Sequence, residues 1–214
     1  MTPTPEPDAE LTTKGADIAA LAGRASADPT FLETLLDGIS PAVQKEAVRS
    51  NASKALQLLS ETRPDVLLPH WDYFVGLLGS GNGFAQYPAI HVMANLAPHD
   101  FEGRWELAFE AFYGLLECDS VMIAGHVAGV SGQVGRGKPA LRQRIAERLL
   151  KARYGGLDPQ RADLVRGYAL DALGEFAGEL PDLAPALAHA RALAASSSPG
   201  TRKKAAAFLK RFGG

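Results

Sequence analysis

The sequence is poor in several things, and each shortage removes a class of protein. It holds one cysteine, Cys118. An intrachain disulfide framework and a cysteine-based zinc site are thereby excluded, and a reducing compartment fits. No stretch approaches the ~18 uninterrupted apolar residues of a membrane span. Neither charge dominates: 22 Lys and Arg stand against 24 Asp and Glu, a formal net charge of −2. No global field therefore draws the chain to nucleic acid or to an anionic membrane. Aromatic residues amount to only 7%, and strict polar–apolar alternation is nearly absent, which argues against strands. The start, MTPTPEPDAE, lacks the basic-then-apolar order of a signal peptide. Residues up to about Lys14 are expected to form a flexible tail, residues 15–214 a single domain, and the location is expected to be cytoplasmic.

What the chain does have is a helical period. From Ala16 onward apolar residues recur three and four apart, and Ala and Leu dominate. Stop signals interrupt this pattern at helix-length intervals: Asp28-Pro29, Ser40-Pro41, Arg63-Pro64, Gly79 to Gly83, Ala97-Pro98, Gly155-Gly156, Asp158-Pro159, Leu180-Pro181 and Ser198-Pro199. An all-α chain is expected.

A longer period lies over the short one. Val48-Arg49, Ala52, Ala55-Leu56 and Leu59 read V-R-x-x-A-x-x-A-L-x-x-L. Val165-Arg166, Ala169, Ala172-Leu173 and Phe176 repeat it, as do Thr201-Arg202, Ala205, Phe208-Leu209 and Phe212 with changes of size. Weaker copies start at Ala85-Gln86 and Ser120-Val121. The copies begin at residues 48, 85, 120, 165 and 201, hence 37, 35, 45 and 36 residues apart. An amphipathic segment precedes each: Phe31–Ile39, Val66–Leu78, Phe101–Leu116, Ala140–Tyr154 and Leu183–Ala195. One helix pair cannot bury its apolar face alone, whereas stacked pairs bury each other.

This pattern resembles the HEAT-repeat family, in which V-R-x-x-A-x-x-A-L-x-x-L marks the second helix of each repeat. The resemblance covers about Pro29 to Gly213. It implies an all-α, right-handed α-solenoid of about five HEAT-like two-helix repeats plus an N-terminal helix near Ala16–Ala25. It also implies turn-supporting roles for Arg49, Arg166 and Arg202. Gln86 and Val121 replace that arginine, so the central repeats need another support.

Residues 131–139, SGQVGRGKP, contain G-x-x-x-x-G-K, most of a phosphate-binding P-loop. Pro139 stands where the Mg²⁺-binding hydroxyl belongs, and a helix in repeat register precedes the glycines instead of a strand. The string is therefore expected to be a helix end, with Gly135 and Gly137 closing one helix and Pro139 opening the next. Gly125, Gly129 and Gly132 fall inside the helix. They signal tight packing, or else a shallow floor for a ligand or partner.

At about 100° per residue, the side of each second helix opposite its buried stripe can be read off. One row is Lys54, His91, His126, Asp171 and Ala207. A second is Ser50, Tyr87, Met122, Gly167 and Lys203, and a third is Gln57, Ala94, Gly129, Gly174 and Lys210. In a stacked solenoid these rows line the concave face. Tyr87, His91, Met122, His126 and Asp171 are thus the expected contact centre for a protein or peptide, with Tyr87 as aromatic anchor. His91, His126 and Asp171 also make three candidate metal ligands, too few to define a site. No metal or cofactor is expected, and no enzymatic role. His70, His99 and His189 receive none.

The segment RGKPALRQRIAERLLKAR, residues 136–153, sets a run of basic residues against one acid, Glu147. Arg142, Arg144, Arg148 and Lys151 form a secondary basic patch, either a solvated face or a phosphate-binding one. A minority of HEAT-like proteins are DNA glycosylases acting on alkylated bases, which makes nucleic acid the alternative partner. Trp71 and Trp105 fall on first helices, away from the rows where such an enzyme needs aromatics. The expectation from sequence is a non-enzymatic scaffold or adaptor.

Overall fold

Six helices begin just after a short polar side chain that caps them. In the computed structural model, which describes residues 9–214, the side chains of Asp17, Asp28, Asn82, Ser120, Asp158 and Ser198 each accept a backbone N–H of the following first turn. Asp28 takes two, from Thr30 at 3.0 Å and Phe31 at 3.2 Å. Pro29, Pro159 and Pro199 then occupy the first helical position, where a missing N–H costs nothing. The described residues contain no strand, and none of their helices is long and apolar enough to cross a membrane.

The chain forms two compact units that divide between His99 and Asp100. The first contains α1 (Ala9–Thr12), α2 (Ile18–Ala27), α3 (Pro29–Gly38), α4 (Glu46–Thr62), α5 (Pro64–Leu67), α6 (Trp71–Leu78) and α7 (Gly83–Leu96). The second contains α8 (Arg104–Gly114), α9 (Val121–Gly137), α10 (Arg142–Lys151), α11 (Pro159–Leu173), α12 (Ala184–Leu193) and α13 (Pro199–Phe212). Short 3-10 turns fall at Leu68–His70, Ala97–His99, Leu115–Glu117, Pro139–Leu141 and Ala177–Glu179.

The five motif copies start on α4, α7, α9, α11 and α13, and most of their apolar positions are core, Leu209 and Phe212 of α13 being half-buried. Ala52, Ala55 and Leu56 of α4, Ala89 and Met93 of α7, Ala124 and Val127 of α9, and Val165 and Ala169 of α11 are fully buried. Small residues there let helices approach. A Cβ added to Gly38 of α3 would stand 2.8 Å from Ala52 Cβ on α4.

Within each unit the motif helices run side by side and parallel. Asn82, before α7, reaches Pro41 O at 3.5 Å, and Asn95 near the end of α7 donates to Ser60 Oγ of α4 at 2.8 Å. In the second unit Gly125 of α9 meets the Tyr168 ring of α11, and Gly132 further along α9 meets Glu175. Thr201 Oγ1 of α13 donates to Asp163 O of α11 at 2.9 Å, and Lys204, about one turn further along α13, pairs with Asp171, about two turns further along α11.

The turn arginines act on carbonyls. Arg49 donates to Val43 O at 3.2 Å, and Arg202 donates to Ser196 O at 2.7 Å and Ser197 O at 3.0 Å. Arg166 instead pairs at 2.9 Å with Asp163, whose other oxygen accepts from Ser196. Where arginine is missing, Gln86 substitutes: its buried amide donates to Leu78 O at 2.8 Å.

Several boundaries differ from the sequence expectation. The flexible tail is expected to reach Lys14; residues 1–8 lie outside the described residues, and Ala9–Thr12 is a helical turn with Leu11 fully buried. The Asn51 amide explains this, donating to Leu11 O at 3.0 Å and Thr13 O at 2.9 Å. The segment Val66–Leu78 is broken around Pro69, because proline supplies no N–H to the helix ladder. Gly135 does not end its helix: α9 continues to Gly137. Phe176 lies beyond the end of α11 yet is 1% exposed, because its ring covers Gly135.

Candidate functional site

The residues expected to face a groove divide between the two units. Tyr87 and His91 are in the first, one turn apart on α7. Their rings are 4.8 Å apart at 54°, and both are half-buried. Met122 and His126 are in the second, one turn apart on α9, with Asp171 on α11. Met122 is exposed and His126 half-buried. Burial disfavours the imidazolium and lowers the His126 pKa, so the ring is neutral at neutral pH. Asp171 is exposed but not idle, since its carboxylate is paired with Lys204.

The other row members mostly face solvent as read. Lys54, Ala207, Lys203, Gly129 and Lys210 are exposed, and Ser50, Gln57 and Gly174 are half-buried. Two are corrected. Ala94 is fully buried and belongs to the core of the first unit. Gly167 is buried against α13, where a Cβ would stand 3.1 Å from Thr201 Oγ1. The rotation of α11 that turns Gly167 inward brings Tyr168 out, at 43% exposed. Sequence reasoning missed Tyr168, together with Leu164 one turn before it. The visible signal was their i, i+4 spacing, one position away from the row that was read.

The glycines of α9 follow from the same pairing. A Cβ at Gly132 would meet the Glu175 carboxylate, and one at Gly135 would stand 2.6 Å from the Phe176 ring. Gly125 leaves 3.6 Å to the Tyr168 ring. The glycines let α11 and its following turn lie close to the α9 backbone, which is the tight-packing reading. Gly129, by contrast, faces open space.

The lysine of the P-loop-like string has a structural task. Lys138 Nζ pairs with Asp100 Oδ2 at 2.6 Å and also donates to Asp100 O. Asp100 in turn accepts the N–H groups of Arg104 at 3.2 Å and Trp105 at 2.9 Å, capping α8. Burial alone would raise the Asp100 pKa. The hydrogen bonds from Lys138, Trp105 and Arg104 outweigh it and hold the carboxyl below its ordinary range.

Each member of the basic patch is held against a carboxylate. Arg142 pairs with Glu179 and donates through Nε to Gly135 O at 2.9 Å. Arg144 pairs with Glu110 at 3.0 Å and lies 3.9 Å over the Phe109 ring. Arg148 approaches Glu110 at 3.8 Å, and Lys151 pairs with Glu147 at 3.0 Å. The local charge of this face is therefore much lower than its sequence suggests. Trp71 and Trp105 are both core residues of α6 and α8. Among the described residues no group of three His, Cys, Asp or Glu side chains is placed to hold a metal ion.

A cavity of about 450 Å³ opens between α10 and α12, lined by Gln143, Glu147, Lys151, Asp182 and His189 among others. His189 Nε2 is buried without a hydrogen-bond partner. Burial lowers the His189 pKa, Arg166 lowers it further, and Asp163 works the other way.

No protein-family model matches the sequence, and no curated protein matches it. The fold is similar to two engineered proteins whose crystal structures were solved by the Northeast Structural Genomics Consortium. One is 17% identical with a TM-score of 0.61, the match covering 96% of this chain and 89% of that one. The other is 15% identical with a TM-score of 0.53, covering 94% and 84%. At such identity the likeness concerns the helical fold alone.

Proposed function

We propose that the chain is a non-enzymatic scaffold or adaptor, a HEAT-like right-handed solenoid that binds protein or peptide in the cytoplasm. The observation behind this reading is the solvent side of the motif helices. Their opposite stripes are buried almost completely, while Tyr87, His91, Met122 and His126 remain open or half-open. Aromatic and thioether side chains on rigid helices make adaptable contacts at little entropic cost.

Replacing Tyr87→Ala together with His126→Ala should weaken capture of partners from native extract, quantified by mass spectrometry, while helical circular dichroism stays unchanged. Unaltered capture would refute the assignment. The nucleic-acid alternative gains nothing from the site, since Arg142, Arg144, Arg148 and Lys151 already face carboxylates.

A further inference from the structure

Three exposed apolar side chains share one face of the second unit. Met122 on α9 is 44% exposed, and on α11 Leu164 is 38% and Tyr168 43% exposed. They are neighbours by helix register. Tyr168 lies against Gly125, Met122 is three residues before Gly125, and Leu164 is four before Tyr168. On parallel helices those offsets place all three within one turn. Gly125 has no side chain to cover the Tyr168 ring, so the patch has a shallow floor between two ridges.

One side of this patch is basic. α13 reads PGTRKKAAAFLKRF and carries no acid. Lys204 Nζ sits 4.6 Å over the Tyr168 ring while pairing with Asp171. Among the described residues Lys203, Lys210 and Arg211 have no carboxylate partner, and all three are exposed. The nearby acids of α11 and its following turn are already matched: Asp171 by Lys204 of α13, and Glu175 by Arg136 of α9. The surplus positive charge therefore belongs to α13, the helix whose Lys204 lies over the Tyr168 ring.

We propose that this face of the second unit binds an acidic peptide segment, seating an aliphatic or aromatic side chain on Met122, Leu164 and Tyr168 and its carboxylates along the lysines of α13. This rests on the peptide-binding reading above and narrows it to one ligand chemistry. An apolar anchor flanked by charge fits both halves of the surface. A nucleic-acid strand fits less well. The floor is mainly aliphatic, and its one ring already carries Lys204, so it offers bases no open stacking platform.

The test is an immobilised array of octapeptides with two aliphatic or aromatic residues among Asp and Glu, paired with the same peptides carrying Lys for each acid. Binders are then titrated by fluorescence anisotropy, with an oligodeoxythymidylate as competitor. Acid-rich members should bind and their Lys counterparts should not. Leu164→Ser with Tyr168→Ser should weaken binding at least about tenfold. Lys203→Glu with Lys210→Glu should weaken it and flatten its salt dependence. Leu107→Ser, which removes an exposed apolar side chain on α8 outside the patch, should leave affinity unchanged. Helical circular dichroism of each variant confirms folding. No binder in the array, equal binding of the Lys counterparts, or displacement by the oligonucleotide at lower concentration than by peptide would each overturn the inference. Binding lost in Tyr87→Ala but kept in the Leu164/Tyr168 double variant would also overturn it, while leaving the broader peptide-binding reading in place.

Discussion

Lys138 Nζ lies 2.6 Å from Asp100 Oδ2, and the two side chains are only 11% and 1% exposed. The pair joins the end of α9 to the start of α8, so the lysine of the P-loop-like string holds a helix cap. Lys138→Met should leave the Asp100 carboxylate buried without its counter-charge and cost about 3–5 kcal/mol in urea unfolding. ATP with Mg²⁺ should not raise the melting temperature of the unaltered protein. A ligand-dependent rise abolished by Lys138→Met would restore the nucleotide reading.

Two kinds of group tie stability to pH, at different ends of the range. Asp100 has a folded pKa below its unfolded value of about 3.9. Its contribution is therefore complete above about pH 4 and is lost as pH falls through the folded value. His126 and His189 also have lowered folded values, burial being the main cause. Their contribution is complete above about pH 6.5 and declines as pH falls from there, because the unfolded chain takes up protons first. Urea midpoints should fall between about pH 7.5 and 5.5, and His189→Gln should flatten that decline. A midpoint independent of pH across this window would contradict the assigned directions.

Glycines on one helix should respond in opposite ways. Gly129 has open space where a Cβ would go. Gly129→Ala should stabilise by about 0.5–1 kcal/mol through helix propensity. At Gly135 the new methyl would stand 2.6 Å from the Phe176 ring, itself 1% exposed. Gly135→Ala should be net destabilising, with overpacking of about 1–3 kcal/mol set against the propensity gain. Denaturant curves decide both, and stabilisation by both substitutions would contradict the close α9–α11 approach.

Asn51 should control the order of residues 9–13. Its amide is the buried link to Leu11 O and Thr13 O. Asn51→Leu should cost about 1–3 kcal/mol by leaving those carbonyls unsatisfied. Amide exchange at Leu11 to Thr13 should accelerate more than exchange in α4 itself. Equal protection of the segment in both proteins would show that the buried Leu11 side chain suffices.

Short DNA should bind weakly, because the cations of α10 are matched by Glu110, Glu147 and Glu179. Glu110→Gln frees Arg144 and Arg148 and should increase both affinity and salt sensitivity. Tight, steeply salt-dependent binding by the unaltered protein would instead favour the nucleic-acid alternative.

The helical class and the places where helices start were legible in the sequence, because both are local. A period of 3.6 and an Asp or Ser before a Pro act over a few residues. The buried stripe was legible too: Ala52, Leu56, Ala89, Ala124 and Ala169 carry the recurring motif and are the core. The solvent row of α4 followed by elimination from that stripe. On α11 the same elimination erred by one residue, picking Gly167 over Tyr168. A helix's rotation about its axis is set by what it packs against, and 100° separates the two positions.

Charge was the least legible property. The run from Arg136 to Arg153 reads as a basic surface because its partners are far away in sequence: Glu175 for Arg136, Asp100 for Lys138, Glu179 for Arg142 and Glu110 for Arg144. Composition and local period determined that this chain is helical, which residues bury, and which glycines needed explaining. Tertiary packing alone decided which cations are neutralised, why α9 gives up side chains to Phe176 and Glu175, and that Tyr168 faces outward. Those outcomes depend on atoms tens of residues apart meeting within a few ångströms, and no local pattern encodes that distance.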